Sequence, residues 1–192
     1  MNSSIEQLKL YTIDDAFIKD LHDNIDSRVF NNNDPAYNHA RKYLGVLIKI
    51  GSFSYYAPLS SPKDSDYIII NGIRSIRNSI MPIIRMTENK ADGKRHLLGT
   101  IKLGNMIPVP DNKLQIYDLD NEPDPLYKDL VLKEKRFINR NEELITSYAY
   151  SLYNEKNKGT SKKGFVTNAF DYKRFEQYVS EHYLNQNIHI DQ

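Results

Sequence analysis

The sequence contains no cysteine and no tryptophan, and its apolar residues never form a long uninterrupted run. Without cysteine, disulfides, thiolate nucleophiles and cysteine-based metal sites are excluded together. No apolar run approaches the ~20 residues that a membrane-spanning helix requires. The first residues, MNSSIEQLKLY, also lack the basic patch and apolar core of a secretion signal. We therefore expect a cytoplasmic protein with no membrane partner.

The motifs that most often identify a cofactor or a catalytic class are also missing. The sequence has no phosphate loop ending in GK[ST], no GxGxxG, no HExxH and no GxSxG. Its five histidines are scattered along the chain, which gives a metal site little support. We expect no cofactor and no metal, so any chemistry must be carried by ordinary side chains.

What remains is the composition of a folded protein. The chain has 192 residues, of which 40% are hydrophobic and 27% charged, enough for one domain with a buried core. The net charge of +1 says little about local fields, because a nearly neutral protein can still carry a basic groove. The 14 tyrosines can pack, hydrogen-bond or stack on a base. We expect a single domain over residues 1–192.

Strand patterns dominate the first part of the chain. A short strand is predicted at 8–13, followed by a helix with Thr12 or Asp14 as its N-cap. The inner face of this helix is predicted to hold Phe17, Ile18 and Leu21. A buried strand is predicted at 43–50, and Gly51-Ser52 predicts a hairpin turn into 53–59.

The middle of the chain consists of short apolar runs separated by glycine, proline and polar clusters. These runs predict further strands at 66–73, 79–86, 96–103, 105–110 and 114–119. Residues 87–94 predict an exposed loop. The acidic segment 120–125 contains two prolines, and we expect it to end the sheet.

Extended helical spacing follows this segment. Apolar residues recur at intervals of three and four, which predicts one long helix or two helices broken near 139–141; they are Leu126, Leu130, Leu132, Phe137, Ile138, Leu144, Ile145 and Tyr148. A last amphipathic helix is predicted at 168–184, with Asn168 as its cap. Strands first and helices last indicate an α+β fold, with helices packed on an antiparallel sheet and concentrated in the C-terminal half.

Three polar features have an ordinary interpretation as solvated surface. Asp64, Asp66 and Asp118 can bind Mg²⁺ in principle, but acidic loops are usually solvated. Glu134-Lys135 approaches a nuclease pattern, yet it falls in the predicted long helix, and we discount it for that reason. The basic run of Lys156, Lys158, Lys162 and Lys163 is either a solvated loop or a contact with phosphate.

Two further segments are weak alone and specific together. In SYYAPLSSPK a strand ends in Ser60, Ser61, Pro62 and Lys63, which by itself is typical of a strand exit. In DPAYNHARKYLG, Tyr37 and Arg41 would ordinarily be a packed aromatic and a surface cation. With LYTIDDAFIKDL before them and LGNMIPVP after them, in that order, these segments resemble the ToxN/AbiQ family of type III toxin–antitoxin endoribonucleases. The resemblance spans about residues 8–154, and APLSSPK is its most specific part.

The resemblance implies a fold, an activity and a partner. Members of the family resemble small toxin ribonucleases with a strongly twisted antiparallel sheet surrounded by helices. They cleave adenine-rich RNA without a metal, and a small repetitive RNA antitoxin, which they process, holds them inactive. Toxin and antitoxin assemble into closed complexes with several copies of each, and many members act in abortive infection against phage. Cellular or phage RNA would be the substrate, and no DNA partner is expected.

The resemblance also implies an active site. The family's tyrosine matches Tyr37, its hydroxyl pair matches Ser60 and Ser61, and its lysine matches Lys63. The basic residue four positions after the tyrosine is often lysine and here is Arg41. Arginine is permanently charged, so this departure favours phosphate binding over proton transfer at that position.

Metal-free RNA cleavage uses the 2′-OH of the substrate as the nucleophile, and the resemblance implies products with a 2′,3′-cyclic phosphate and a 5′-OH. Lys63 and Arg41 suit the charge on the phosphorane, and Ser61 can hydrogen-bond the 2′-OH or relay a proton. Without a neighbouring histidine, however, a serine is a poor base. Tyr37 can position a phosphate or stack on a base. Lys63 is the best candidate for a dual role, because a cation such as Arg41 favours a neutral lysine, but base and acid stay unassigned.

Contacts with RNA are expected from Tyr37, Arg41, Lys63, Lys158, Lys162 and Lys163, with the 31–33 and 156–163 loops contributing. Two alternatives remain open at this point. The first is an RNA-binding protein without activity, which predicts salt-dependent binding and no strand scission. The second is a metal-dependent nuclease or phosphatase that uses Asp64, Asp66 or Asp118, which predicts loss of activity in EDTA.

Overall fold

An antiparallel sheet organises the molecule. The computed structural model describes residues 8–30, 42–45 and 47–184. Within these ranges the strands are β1 Lys9–Ile13, β2 Tyr43–Gly45, β3 Lys49–Ile50, β4 Phe53–Ser60, β5 Tyr67–Ile70, β6 Ile73–Ile76, β7 Ile84–Asn89, β8 Arg95–Ile101, β9 Ile107–Pro108 and β10 Leu114–Ile116. The helices are α1 Asp15–Asn24, α2 Pro125–Arg140, α3 Glu142–Lys158, α4 Gly164–Thr167 and α5 Tyr172–Val179.

The main sheet has the order β10-β1-β2-β4-β8-β7, and β3 and β9 also pair with β4. Every pairing in it is antiparallel. Four of the five helices follow the last strand. The predicted α+β class and the concentration of helices in the C-terminal half are therefore confirmed.

Strand β4 is the central element, because four other strands pair with it. Its residues Tyr55, Tyr56 and Ala57 are fully buried. Tyr56 lies so close to Gly45 on β2 that a Cβ at position 45 would be 2.1 Å from a ring carbon. Only glycine permits this approach, so position 45 must be glycine for Tyr56 of the central strand to pack on β2.

The first helix forms as its sequence predicts. Asp14 is the N-cap, and its Oδ1 accepts a hydrogen bond from the backbone N–H of Phe17 at 2.8 Å. The predicted inner face of α1 is buried against the sheet and consists of Phe17, Ile18 and Leu21. The predicted strand before it is β1.

The prediction of one strand over 43–50 is wrong, because β2 and β3 are separate. Tyr43 pairs with Pro58 in an antiparallel register. If that register continued, Lys49, six residues after Tyr43, would lie opposite Ser52, six residues before Pro58. Lys49 instead pairs with Ser54, a shift of two residues. Such a register shift interrupts a ladder, and apolar content alone does not reveal it. The predicted turn at Gly51 is confirmed, with φ of +58°.

The predicted loop over 87–94 is too long, because β7 continues to Asn89 and pairs with β8 up to Arg95. An irregularity between Met86 and Thr87 shifts the register, which hides the alternation of this strand in the sequence. The remaining turn contains Gly93 at φ of +77°.

The C-terminal helices break where the sequence predicts, at Asn141 between α2 and α3. The predicted last helix differs. Its cap is Asp171, whose side chain accepts from the N–H of Arg174, and Asn168 instead terminates the short α4. The backbone N–H of Phe170 donates to the carbonyl of Gly104 at 2.9 Å, which holds the chain away from helical geometry between the two helices. After α5 the segment Ser180–Leu184 forms a π-helical turn.

The face of α2 that contacts the sheet is not the one that its leucines indicate. Leu126 and Leu132 are exposed, as is Leu144 on α3. The buried positions of α2 are Val131, Glu134 and Ile138, spaced by three and four residues. The pattern of leucines misleads because a glutamate occupies the middle of the buried stripe.

Strands β5 and β6 form a separate hairpin beside the main sheet, and its turn residues Asn71 and Gly72 both have positive φ, as a tight hairpin turn requires. Its isoleucines are largely exposed. Within the ranges given above, no helix has the length and hydropathy to cross a membrane.

Candidate active site

Strand β4 ends at Ser60, whose side chain is buried. Ser60 pairs with Thr100 on β8, and Thr100 pairs with Arg85 on β7. Residues directly opposite each other share a face of the sheet, so Ser60, Thr100 and Arg85 form a row across three strands. Ser60 is therefore fixed in the sheet, on the face that carries Arg85.

The next three residues leave the sheet and are exposed: they are Ser61, Pro62 and Lys63. A single turn of 3₁₀ helix, Asp64–Asp66, follows them. The N–H of Lys63 donates to Asp66 Oδ2 at 3.0 Å, and the N–H of Asp66 donates to the carbonyl of Lys63 at 2.9 Å. This reciprocal pair fixes the backbone of Lys63 and leaves its ammonium in solvent.

A buried ion pair anchors this turn. Asp66 Oδ1 lies 3.1 Å from a terminal nitrogen of Arg85, and both side chains are almost fully buried. Arg85 also donates to the carbonyl of Asn78 at 2.8 Å, and its backbone N–H donates to Ser79 Oγ at 2.8 Å. Losing either partner of a buried pair leaves an uncompensated charge, so the turn that carries Lys63 is firmly held.

Tyr37 and Arg41 lie outside the described residues, but both described flanks of their segment lie at this site. The ammonium nitrogen of Lys63 is 5.9 Å from the ring centroid of Phe30, the last described residue before the segment. On the other side, the carbonyl of Lys42 accepts the N–H of Leu59, the residue before Ser60, at 2.9 Å.

Lys42 is a residue that sequence reasoning missed. Its side chain is buried, with Nζ 4.0 Å from the ring centroid of Tyr117 and 5.5 Å from that of Tyr127. Burial lowers the pKa of Lys42, and the nearby Glu122 opposes that shift. Lysines at the start of a strand are ordinarily exposed, so no sequence signal marked it.

Glu134 is a second residue near this site, and it was discounted in the sequence analysis. It lies on α2, is 7% exposed and packs against Gly99 on β8. Burial raises the pKa of its carboxyl to about 7. The sequence did single out Glu134-Lys135, and its assignment to a helix is confirmed, but a helical position does not by itself exclude a functional role.

Comparison with known proteins places this arrangement in a family. The family model described as toxin ToxN of type III toxin–antitoxin systems matches residues 9–180, which include every strand and helix given above. The chain belongs to the ToxN family.

Individual relatives agree with this assignment. The endoribonuclease ToxN of Pectobacterium atrosepticum is 31% identical over 147 residues, which cover 77% of this chain and 80% of that protein. A solved structure from work on selective toxin inhibition by a non-coding RNA pseudoknot in type III systems covers 92% of this chain and 98% of its own, with a TM-score of 0.73 and 28% identity. The lactococcal anti-phage endoribonuclease AbiQ shares the fold, with a TM-score of 0.69, 21% identity, and coverage of 91% and 97%.

The remaining lysines that the sequence predicted to bind RNA lie in the helical part of the molecule. Lys158 ends α3, and Lys162 and Lys163 follow in the loop before α4; all three are exposed. Lys163 lies 3.5 Å from Glu155 on α3 and 5.8 Å from the ring centroid of Phe165. Their role in binding RNA stays a prediction.

The carboxylates that were candidates for a metal site have other partners. Asp64 accepts from Arg74 at 2.8 Å, Asp66 pairs with Arg85, and Asp118 accepts from the side chain of Asn121. In the part of the chain that the structure describes, no group of three or more histidine, aspartate or glutamate side chains converges. The three candidate carboxylates are therefore each engaged in another contact within the described residues.

Proposed function

We propose that this member of the ToxN family is an endoribonuclease toxin that cleaves RNA by attack of the 2′-OH and needs no metal. One observation carries the proposal. An exposed hydroxyl and an exposed ammonium, Ser61 and Lys63, are presented at the end of the central strand by a turn that a buried ion pair anchors. Rigid presentation of this kind suits groups that must meet a scissile phosphate.

The two serines have different roles in this proposal. Ser60 is held in the sheet and supports the site, because its side chain is buried. Ser61 is exposed and is the hydroxyl that reaches the substrate, where it hydrogen-bonds the 2′-OH. The family resemblance matched the two as a hydroxyl pair, and only Ser61 was expected to contact the 2′-OH.

The cations stabilise the transition state. The ammonium of Lys63 contacts the non-bridging oxygens of the phosphorane or donates its proton to the leaving 5′-oxygen, and Arg41 supplies a second, permanent charge. Tyr37 positions the neighbouring phosphate or base. The products are a 2′,3′-cyclic phosphate and a 5′-OH.

The regulator in this proposal is a cognate repetitive RNA, which the protein processes from its precursor and which then occupies the site. One solved relative comes from work on a toxin that an RNA pseudoknot inhibits. Besides the site residues Tyr37, Arg41 and Lys63, the exposed lysines Lys158, Lys162 and Lys163 would contact the phosphate backbone. Protein and RNA would close into a complex with several copies of each, and free toxin would act in abortive infection.

The test is cleavage of an adenine-rich RNA by the purified protein in excess EDTA, with analysis of the product ends. We expect scission at full rate, with 2′,3′-cyclic phosphate and 5′-OH ends. Salt-sensitive RNA binding without scission would replace the proposal with a purely binding role. Activity that EDTA abolishes and Mg²⁺ restores would contradict the metal-free mechanism.

A further inference from the structure

The carboxyl of Glu134 is buried where a hydrophobic side chain would ordinarily lie. It occupies the middle of the α2 stripe that packs on the sheet, between Val131 and Ile138. Burial is the only cause of its raised pKa, with no contribution from a hydrogen bond or a neighbouring charge among the described residues. A carboxyl in such surroundings reduces stability and is typical of functional sites.

Gly99 provides the space for this carboxyl. A Cβ at position 99 would be 2.7 Å from Glu134 Oε1 and 3.0 Å from the carbonyl oxygen of Ser60. One point on β8 is therefore within 3.0 Å of both the glutamate and the end of β4. Any larger residue at position 99 would separate the two.

The register of the sheet brings Ser61 to the same place. Leu59 pairs with Ile101, and Ser60 pairs with Thr100. One further step in this register would set position 61 opposite Gly99, at the point where the chain leaves the sheet. Side chains alternate between the two faces of a strand, so that position belongs to the face opposite to Ser60 and Thr100. That is the face on which Glu134 fills the space left by Gly99.

The charged groups of the elements that pack around Glu134 either have other partners or are exposed. Arg85 pairs with Asp66 on the opposite face of the sheet. Lys133 and His96 each lie 3.5 Å from Glu88 and form a surface cluster with it. Arg95 donates to Thr87, and Lys135 is exposed. Glu142 and Glu143 lie farther along the chain, at the start of α3. The raised pKa of Glu134, about 7, therefore has burial as its cause.

We propose that Glu134 is a positioning residue of the RNA cleavage reaction, which accepts the proton of the Ser61 hydroxyl as Ser61 takes the proton of the substrate 2′-OH. This proposal rests on the function proposed above and supplies the base that the sequence alone did not. The 2′-oxygen forms its bond to phosphorus, and the bond from phosphorus to the 5′-oxygen breaks. The ammonium of Lys63 protonates the leaving oxygen, and exchange with water afterwards resets Glu134 and Lys63.

The discriminating experiment is the pH dependence of kcat/KM for RNA cleavage in EDTA, from pH 5 to pH 9, for the wild-type protein and Glu134→Gln. The amide has nearly the same shape but accepts no proton. We expect wild-type activity to fall as the pH drops through about 7, as Glu134 becomes protonated. We expect Glu134→Gln to lose about 100-fold at pH 8 and to lose the dependence below pH 7, with RNA affinity unchanged.

Two controls separate this role from a structural one. Glu88→Gln removes a carboxylate from the surface cluster on the adjacent strand and should keep both the rate and the profile of the wild-type protein. Glu134→Asp keeps a proton acceptor and should recover part of the activity. A Glu134→Gln protein that folds and cleaves with the wild-type rate and profile would overturn this inference alone. A wild-type protein that does not cleave RNA would overturn the proposed function instead.

Discussion

The two adjacent hydroxyls at the end of β4 lie in different surroundings. Ser60 is buried on the face that carries Thr100 and Arg85, whereas Ser61 is exposed after the last paired residue. The difference arises because β4 ends between them, so Ser60 is paired with β8 and Ser61 is not. The proposed site at the end of β4 therefore combines one hydroxyl fixed by packing with one that is exposed.

Glu134 should make the stability of the protein depend on pH. The pKa of its carboxyl rises from 4.5 to about 7 on folding, so the folded state binds more protons than the unfolded state between these values. Stability from this group is complete below pH 4.5 and is lost as the pH rises through 7. The loss amounts to about 3 kcal/mol, and Glu134→Gln removes it.

Urea denaturation at pH 4 and pH 8 measures this effect. Relative to the wild-type protein, Glu134→Gln should gain about 3 kcal/mol in unfolding free energy between the two pH values. Glu88→Gln should show no comparable gain, because its surface ion pairs contribute little. An equal pH dependence in wild-type and Glu134→Gln proteins would place the Glu134 carboxyl in contact with solvent.

At the scale of elements, the site depends on how closely α2 approaches β8. The approach is possible because position 99 has no side chain, so the carboxyl of Glu134 reaches the backbone of the sheet. In the same sheet, Gly45 allows the ring of Tyr56 to lie directly on β2. These two glycines are required for close contact rather than for an unusual backbone angle, since neither has positive φ.

Gly99→Ala should therefore displace both Glu134 and the end of β4. The added methyl group would meet Glu134 Oε1 at 2.7 Å and the Ser60 carbonyl at 3.0 Å, and the carbonyl belongs to paired backbone. We expect a loss of about 1–3 kcal/mol in stability and a drop in RNA cleavage. Gly164→Ala is the matched control, because a Cβ there meets nothing within 4 Å, and it should leave both quantities unchanged. Full activity in Gly99→Ala would show that this approach is dispensable.

Across the whole molecule, the sequence predicted the features that depend on residues close together in the chain. The N-cap Asp14, the turn at Gly51 and the break at Asn141 all depend on residues close in sequence, and all three are confirmed. The division of 43–50 into β2 and β3 was missed, because it depends on which residues of β4 lie opposite. Pairing register is a tertiary property that a single segment does not encode.

The same distinction applies to the site. Resemblance to the family identified the segment from Ser60 to Lys63, because its residues are contiguous. Nothing in the sequence linked that segment to Arg85 on β7 or to Glu134 on α2. These contacts arise only when β8 pairs with β4 and α2 packs over it. The contacts of Arg85 and Glu134 near this segment are thus the ones that sequence reasoning could not supply.

Ser61 and Lys63 are proposed to carry the cleavage of RNA, and their contribution is measured by kcat/KM in excess EDTA for Ser61→Ala and Lys63→Ala. Each variant should lose about 100-fold or more in rate. Ser52→Ala and Lys90→Ala, which change an exposed serine and lysine in the β3–β4 and β7–β8 turns, should keep the wild-type rate. Full activity in both Ser61→Ala and Lys63→Ala would show that neither residue carries the cleavage reaction.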